Sequence, residues 1–137
     1  MPGDLYSADH VWLRVEDGNG RVGISGFARE ELGEIAFVEL PKPGTTVRAG
    51  ESVGVIDSLK STSELYAPVS GTVVEVNPLV AGEKGASLVN EDPTGKGWLF
   101  LLALSDPGEL ASLMTEERYL AHVATGDGTS QRDPRSR

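Results

Sequence analysis

The sequence predicts a mostly β fold, a flattened barrel of short strands, and three features carry that expectation. Seventeen glycines and eight prolines with only 6% aromatic residues favour many strands and turns over long helices. Runs of β-branched residues are brief and are bounded by Gly, Pro, Asn and Asp. The third feature is a near-repeat: Val47-Arg48-Ala49-Gly50-Glu51 is echoed by Leu79-Val80-Ala81-Gly82-Glu83, an offset of 32 positions (82 − 50). If each copy precedes one strand of a sandwich, two similar halves about a pseudo-two-fold axis close a flattened barrel. Chance recurrence of a glycine-containing turn is the alternative.

In chain order, Val11 to Val15 alternates and Arg21 to Ile24 resumes the pattern after Glu16-Asp17-Gly18-Asn19-Gly20, which predicts a first hairpin with positive-φ turn positions. His10 at its start has no ligand-spaced neighbours and reads as structural. Phe27 to Gly33 predicts a short internal helix stopped by Gly33. Ile35 to Leu40 predicts a largely buried strand ended by Pro41 and Pro43, which withhold ladder donors. Asn90 to Gly97 reads as a polar loop, and Trp98 to Leu104 as the last strand, with Trp98 packed on the core. Asp106-Pro107-Gly108-Glu109 predicts a capped helix start, and Thr115 the cap of a second C-terminal helix carrying Tyr119, Leu120 and Val123.

A chain of 137 residues, 39% hydrophobic, supports one modest core. The division is a single domain over 1–124 and a disordered polar tail over 125–137, since Gly126 to Arg137 contains no apolar residue. A formal net charge of −9 disfavours nucleic acid, which needs a clustered basic face. No apolar run approaches the roughly 20 residues that cross a membrane, and Met1 to His10 lacks a signal-peptide pattern. The expectation is a cytoplasmic protein. Without cysteine there is no disulfide framework and no thiolate metal site. Ser-His-Asp machinery and the G-x-x-x-x-G-K-[ST] spacing are both missing from the sequence.

The most informative stretch runs from Asp57 to Gly71. Val53, Val55 and Ile56 read as one strand and Leu65 and Tyr66 as the next, so Lys60 falls near a hairpin tip among Ser58, Ser61, Thr62 and Ser63. An exposed lysine is ordinarily a bland surface cation; this one is distinguished by its setting. The stretch resembles the lipoyl-bearing hairpin of glycine cleavage H proteins, Glu-Ser-x-Lys-x-x-Ser-Asp-Leu-Tyr-Ala-Pro-Val-Ser-Gly, in Ser58, Lys60, Ser63, Leu65 and all of Tyr66 to Gly71. Phe37-Val38-Glu39-Leu40-Pro41, Glu75-Val76-Asn77, Leu88-Val89-Asn90-Glu91-Asp92-Pro93 and Gly97-Trp98 also fit that family, over residues 5 to 122.

The resemblance implies a lipoyl/biotinyl-type flattened β-barrel, the barrel-sandwich hybrid, with a short internal helix and C-terminal helices. It implies lipoate in amide linkage to Lys60, which takes the formal charge from −9 to −10. It also implies a non-catalytic carrier of the glycine cleavage system, passing an aminomethyl group from a pyridoxal-phosphate glycine decarboxylase to a tetrahydrofolate-dependent aminomethyltransferase. Dihydrolipoamide dehydrogenase then reoxidises the arm, and a lipoyl ligase or transferase attaches it in the first place. Asp57, Ser58 and Glu64 are the flanking recognition residues, although the two acidic groups serve equally as solubility charges. Three positions depart from the family: Val11 stands where a glutamate between His10 and Trp12 helps hold the amine of the loaded arm, Asp57 replaces a glutamate, and Thr94 a tyrosine. The alternatives are a divergent H-like lipoate carrier for another redox or relay system, a biotinyl carrier, although Leu59 and Ser61 replace its usual methionines, and an unmodified acidic adaptor.

Overall fold

A computed structural model of the chain describes residues 4–16, 18–81 and 85–124; the predicted tail and the Gly82-Glu83 end of the second repeat copy lie outside them. The strands of a larger sheet are β1 (Leu5–Tyr6), β2 (Val11–Glu16), β3 (Asn19–Ile24), β5 (Thr46–Val47), β8 (Gly71–Val76) and β9 (Phe100–Leu104). Those of a smaller one are β4 (Ile35–Glu39), β6 (Ser52–Ser58) and β7 (Thr62–Tyr66). The larger sheet is antiparallel with the order β1-β2-β3-β9-β8-β5, and the smaller has the order β4-β6-β7. The helices are α1 (Gly26–Leu32), α2 (Pro78–Ala81), α3 (Gly85–Glu91), a 3₁₀ helix (Pro107–Ser112) and α4 (Glu116–Ala124).

One apolar core joins the two sheets. Val11, Leu13, Val22, Val73, Phe100 and Leu102 from the larger sheet meet Ile35, Val38, Ile56 and Leu65 from the smaller, and Val80 and Val89 of α2 and α3 fill one end. The predicted first hairpin forms in the register Glu16↔Asn19 to Val11↔Ile24, with Gly18 at φ 83. Gly23 has a steric role. A Cβ there would come 2.5 Å from the Trp12 ring, so its bare backbone makes room for the indole that faces it across the strand pair.

The helix ends follow their caps. Ser25 Oγ accepts from the Ala28 amide at the start of α1, and Gly33 at φ 78 closes it, donating its N–H to Arg29 O. Thr115 Oγ1 accepts from the Arg118 amide before α4. Asp106 caps as expected, accepting from Gly108 N, but the helix that follows is 3₁₀, and the Glu109 carboxylate accepts from Ser70 N at 2.7 Å and Ser70 Oγ at 2.9 Å. That carboxylate fastens the 3₁₀ helix to the turn before β8 instead of returning to its own helix.

Four expectations are corrected. The second repeat copy does not lead into a strand: Leu79 to Ala81 lie in α2, because Asn77 Oδ1 accepts from Leu79 N and Pro78 starts a helical turn. The likeness of the two copies is therefore not a structural repeat. Asn90 and Glu91 belong to α3, not to a loop. β4 is only partly buried; Ile35 and Val38 face the core while Ala36, Phe37 and Glu39 are exposed, owing to a register shift between Ile35 and Phe37. The last strand begins at Phe100, and Trp98 lies before it with Arg21 4.4 Å over its ring, packed against a second cluster of Tyr6, Trp12 and Tyr119.

Candidate functional site

The site begins with a turn that its own serines build. β6 and β7 pair antiparallel up to Asp57↔Thr62, and Ser58 then closes the tip. Its amide donates to Ser61 O, its hydroxyl donates to the same carbonyl, and its Oγ accepts from the Ser61 amide at 3.1 Å. Such local side-chain bonds replace the missing ladder bonds of the tip. Asp57 Oδ1 accepts from Thr62 Oγ1 at 2.6 Å, which ties the last paired row. Asp57 and Ser58 thus hold the shape of the turn that carries Lys60, and Glu64 is exposed on β7.

The tip is braced from below. Leu59 N donates to Glu34 O at 3.0 Å, and a Cβ on Gly33 would lie 3.4 Å from Lys60 Cε, so the lysine stem passes over the bare glycine that ends α1. Glu34 is held in turn through Ile35, whose amide and carbonyl both bond the Asn90 side chain at 2.9 Å. Lys60 itself is exposed, and its ammonium enters none of the ion pairs of the described residues.

Below the hairpin lies a cavity of about 180 Å³ lined by Asp9, His10, Val11, Ile24, Ala28, Glu31, Leu32, Ile56, Ser63, Glu64 and Leu65. Its floor is apolar, and Asp9, His10, Glu31 and Ser63 bring polar side chains to it, with Glu64 at its edge. Burial raises the Asp9 carboxyl above the ordinary range and lowers the His10 imidazole, with the His122 charge acting in the same direction. His10 sits at φ 67 with Nδ1 2.7 Å from the Tyr119 hydroxyl. That hydroxyl also lies 2.6 Å from Ser25 Oγ, and burial pushes its pKa up to about 12. The histidine is a joint between the cavity and α4. Val11 is fully buried at the cavity wall. Thr94, the other departure outside the hairpin, offers only its carbonyl, to Arg14 Nη2 at 3.0 Å.

Comparison with known proteins agrees with this geometry. The family model for glycine cleavage H-protein matches residues 4–126. The chain belongs to the glycine cleavage H-protein family. It is 46% identical to the glycine cleavage system H protein of Symbiobacterium thermophilum, over 92% of this chain and 98% of that one. Against the H protein of Carboxydothermus hydrogenoformans the figure is 48%, over 87% and 91%. The crystal structure of a glycine cleavage system H protein from Mycobacterium marinum superposes with a TM-score of 0.80 at 40% identity, covering 90% of this chain and 99% of that one.

For an H-protein, the residues present fit a lipoyl group on Lys60: the amine is exposed and outside the ion pairs of the described residues, its turn is braced, and an apolar cavity lies beneath the same hairpin. The sequence pointed to Lys60 and its neighbours but not to Asp9 and Glu31, which reach the cavity from the β1–β2 turn and from α1. Asn77, singled out only as part of the Glu75-Val76-Asn77 run, is buried, and its amide donates to Lys96 O and Trp98 O. The Asn77-Pro78 pair was the signal for that capped turn.

Proposed function

We propose that this chain is the lipoate-carrying subunit of a glycine cleavage system, modified at Lys60 and working in the cytoplasm. The observation that carries the reading is the Lys60 amine at the tip of a hydrogen-bonded, braced hairpin in a member of the H-protein family. The carrier contributes no catalytic group of its own; it presents a pivot. In the modification, the neutral Lys60 amine attacks the carbonyl of an activated lipoyl or octanoyl donor, an acyl phosphate anhydride or thioester. A C–N bond forms, the C–O or C–S bond breaks, and the amine's proton leaves with the departing group. Once attached, the dithiolane supplies a disulfide that opens to take a one-carbon amine and recloses on oxidation. The chain's residues hold the attachment point rigid, let the arm sweep between partners at high local concentration, and offer an acid-rimmed apolar cavity below it.

The partners in this reading are a pyridoxal-phosphate glycine decarboxylase, a tetrahydrofolate-dependent aminomethyltransferase, dihydrolipoamide dehydrogenase and a lipoyl ligase or transferase. Peptide mass spectrometry after incubation with lipoic acid, ATP and a bacterial lipoate ligase tests the attachment. The added mass is expected on Lys60 and absent from a folded Lys60→Arg variant; modification mainly at Lys42, Lys84 or Lys96 overturns it. A second reading rests on Val11, which faces the cavity with no acceptor for an ammonium group. A divergent H-like carrier with a different cargo would have that wall.

A further inference from the structure

The outer face of the three-stranded sheet is laid out around one exposed aromatic. Cross-strand partners share a face, so Phe37, Asp57 and Thr62 form one row and Glu39, Val55 and Glu64 the next, while Val38, Ile56 and Ser63 point inward. Simple alternation from the buried Ile35 would turn Phe37 into the core. The register shift between Ile35 and Phe37 re-phases the strand, leaving Val38 buried and Phe37 56% exposed. Bulges re-aim side chains beside functional sites. Three carboxylates share that outer face, Asp57 in the row of Phe37 and Glu39 and Glu64 in the next, and neither row contains a basic residue. Leu59, 73% exposed, extends the apolar surface to the residue before Lys60.

We propose that this face is the docking surface for the enzyme that acylates Lys60, and that Phe37 is its anchor. The proposal rests on the carrier reading and adds the recognition surface. The acylating enzyme must take the lysine nitrogen itself into its active site, which brings the row of Phe37 and Asp57 against it. The complementary partner surface is an apolar pocket rimmed by arginine or lysine.

The test is the initial rate of lipoylation by a bacterial lipoate ligase with lipoic acid and ATP, measured against carrier concentration. Phe37→Ser should raise KM for the carrier about tenfold with kcat little changed. Val74→Ser, a similar loss at a residue 48% exposed on the other sheet, should leave both unchanged. Glu39→Lys should also raise KM and should flatten the decline in rate that added salt causes in the wild type; it serves as the second probe should Phe37→Ser fail to fold. Wild-type KM in the folded Phe37→Ser protein, or in Glu39→Lys, overturns the docking surface. Absence of modification at Lys60 in the wild-type protein instead overturns the carrier reading beneath it.

Discussion

Replacing Asn90 should loosen the support of the lysine hairpin by a predictable amount. Its amide acts like one residue of a β ladder: Oδ1 accepts from Ile35 N and Nδ2 donates to Ile35 O, both at 2.9 Å. Only Asn or Gln combines donor and acceptor in this way. Asn90→Ala removes two partly buried neutral bonds of about 1 kcal/mol each, so the loss should be about 2 kcal/mol, or about 6–10 °C in Tm for a chain of this size. Asn90→Asp keeps the acceptor but sets a carboxylate oxygen against Ile35 O. Its protonated form restores a donor, so the native state raises the carboxyl pKa. The deficit against wild type is then full at neutral pH and shrinks as pH falls through that raised value. Urea unfolding followed by tryptophan fluorescence reads both variants. If Asn90→Ala unfolds within about 0.5 kcal/mol of wild type, or the deficit of Asn90→Asp is the same at neutral pH as in mild acid, the ladder-like role is refuted.

Other outcomes follow from the same geometry. Burial and His122 keep His10 neutral below its ordinary 6.5. Stability should therefore fall as pH drops through 6.5, where the unfolded chain takes up a proton that the native one refuses; His10→Asn, which tolerates the positive φ, should flatten that acid slope, and an unchanged slope refutes the assignment. Gly23→Ala drives a methyl into the Trp12 ring and should cost about 1–3 kcal/mol in chemical denaturation, whereas wild-type stability would mean that the indole moves aside freely. Val11→Glu puts an acceptor on the cavity wall, a charge-assisted contact of roughly 1.5–3 kcal/mol. It should slow ammonia release from the loaded carrier in the absence of transferase, and equal decay rates would strip the valine of functional meaning.

Much of the fold was legible where local chemistry and tertiary position agree. The first hairpin, the Gly33 stop and the Asp106 and Thr115 caps all appear in the structure, although Trp12 is buried and Val15 exposed, so β2 does not alternate as its sequence does. α2 and α3 were not legible, because their apolar residues, Leu79, Val80, Leu88 and Val89, are too few to set a helical period. Gly85, an unpromising residue for a helix start, is required by packing: a Cβ there would strike Val80 O. Lys60 was readable from its flanking residues. The cavity was not, since Asp9, Glu31 and Ser63 come from the β1–β2 turn, α1 and β7, nor was the outward turn of Phe37, which depends on a bulge that sequence alternation does not reveal.

The position of β9 bears on how the protein is made. It is the last strand among the described residues, yet it lies in the middle of the larger sheet, between β3 and β8, and Phe100 and Leu102 on it are wholly buried. Until it emerges from the ribosome, β3 and β8 each present an open edge to the cell, and edges of that kind invite pairing with other chains. The sheet therefore closes late, through contacts distant in sequence, which slows folding. A truncation that removes Phe100–Leu104 deletes the seam of the sheet rather than one end of it, and such a fragment should accumulate as aggregate in place of a smaller carrier.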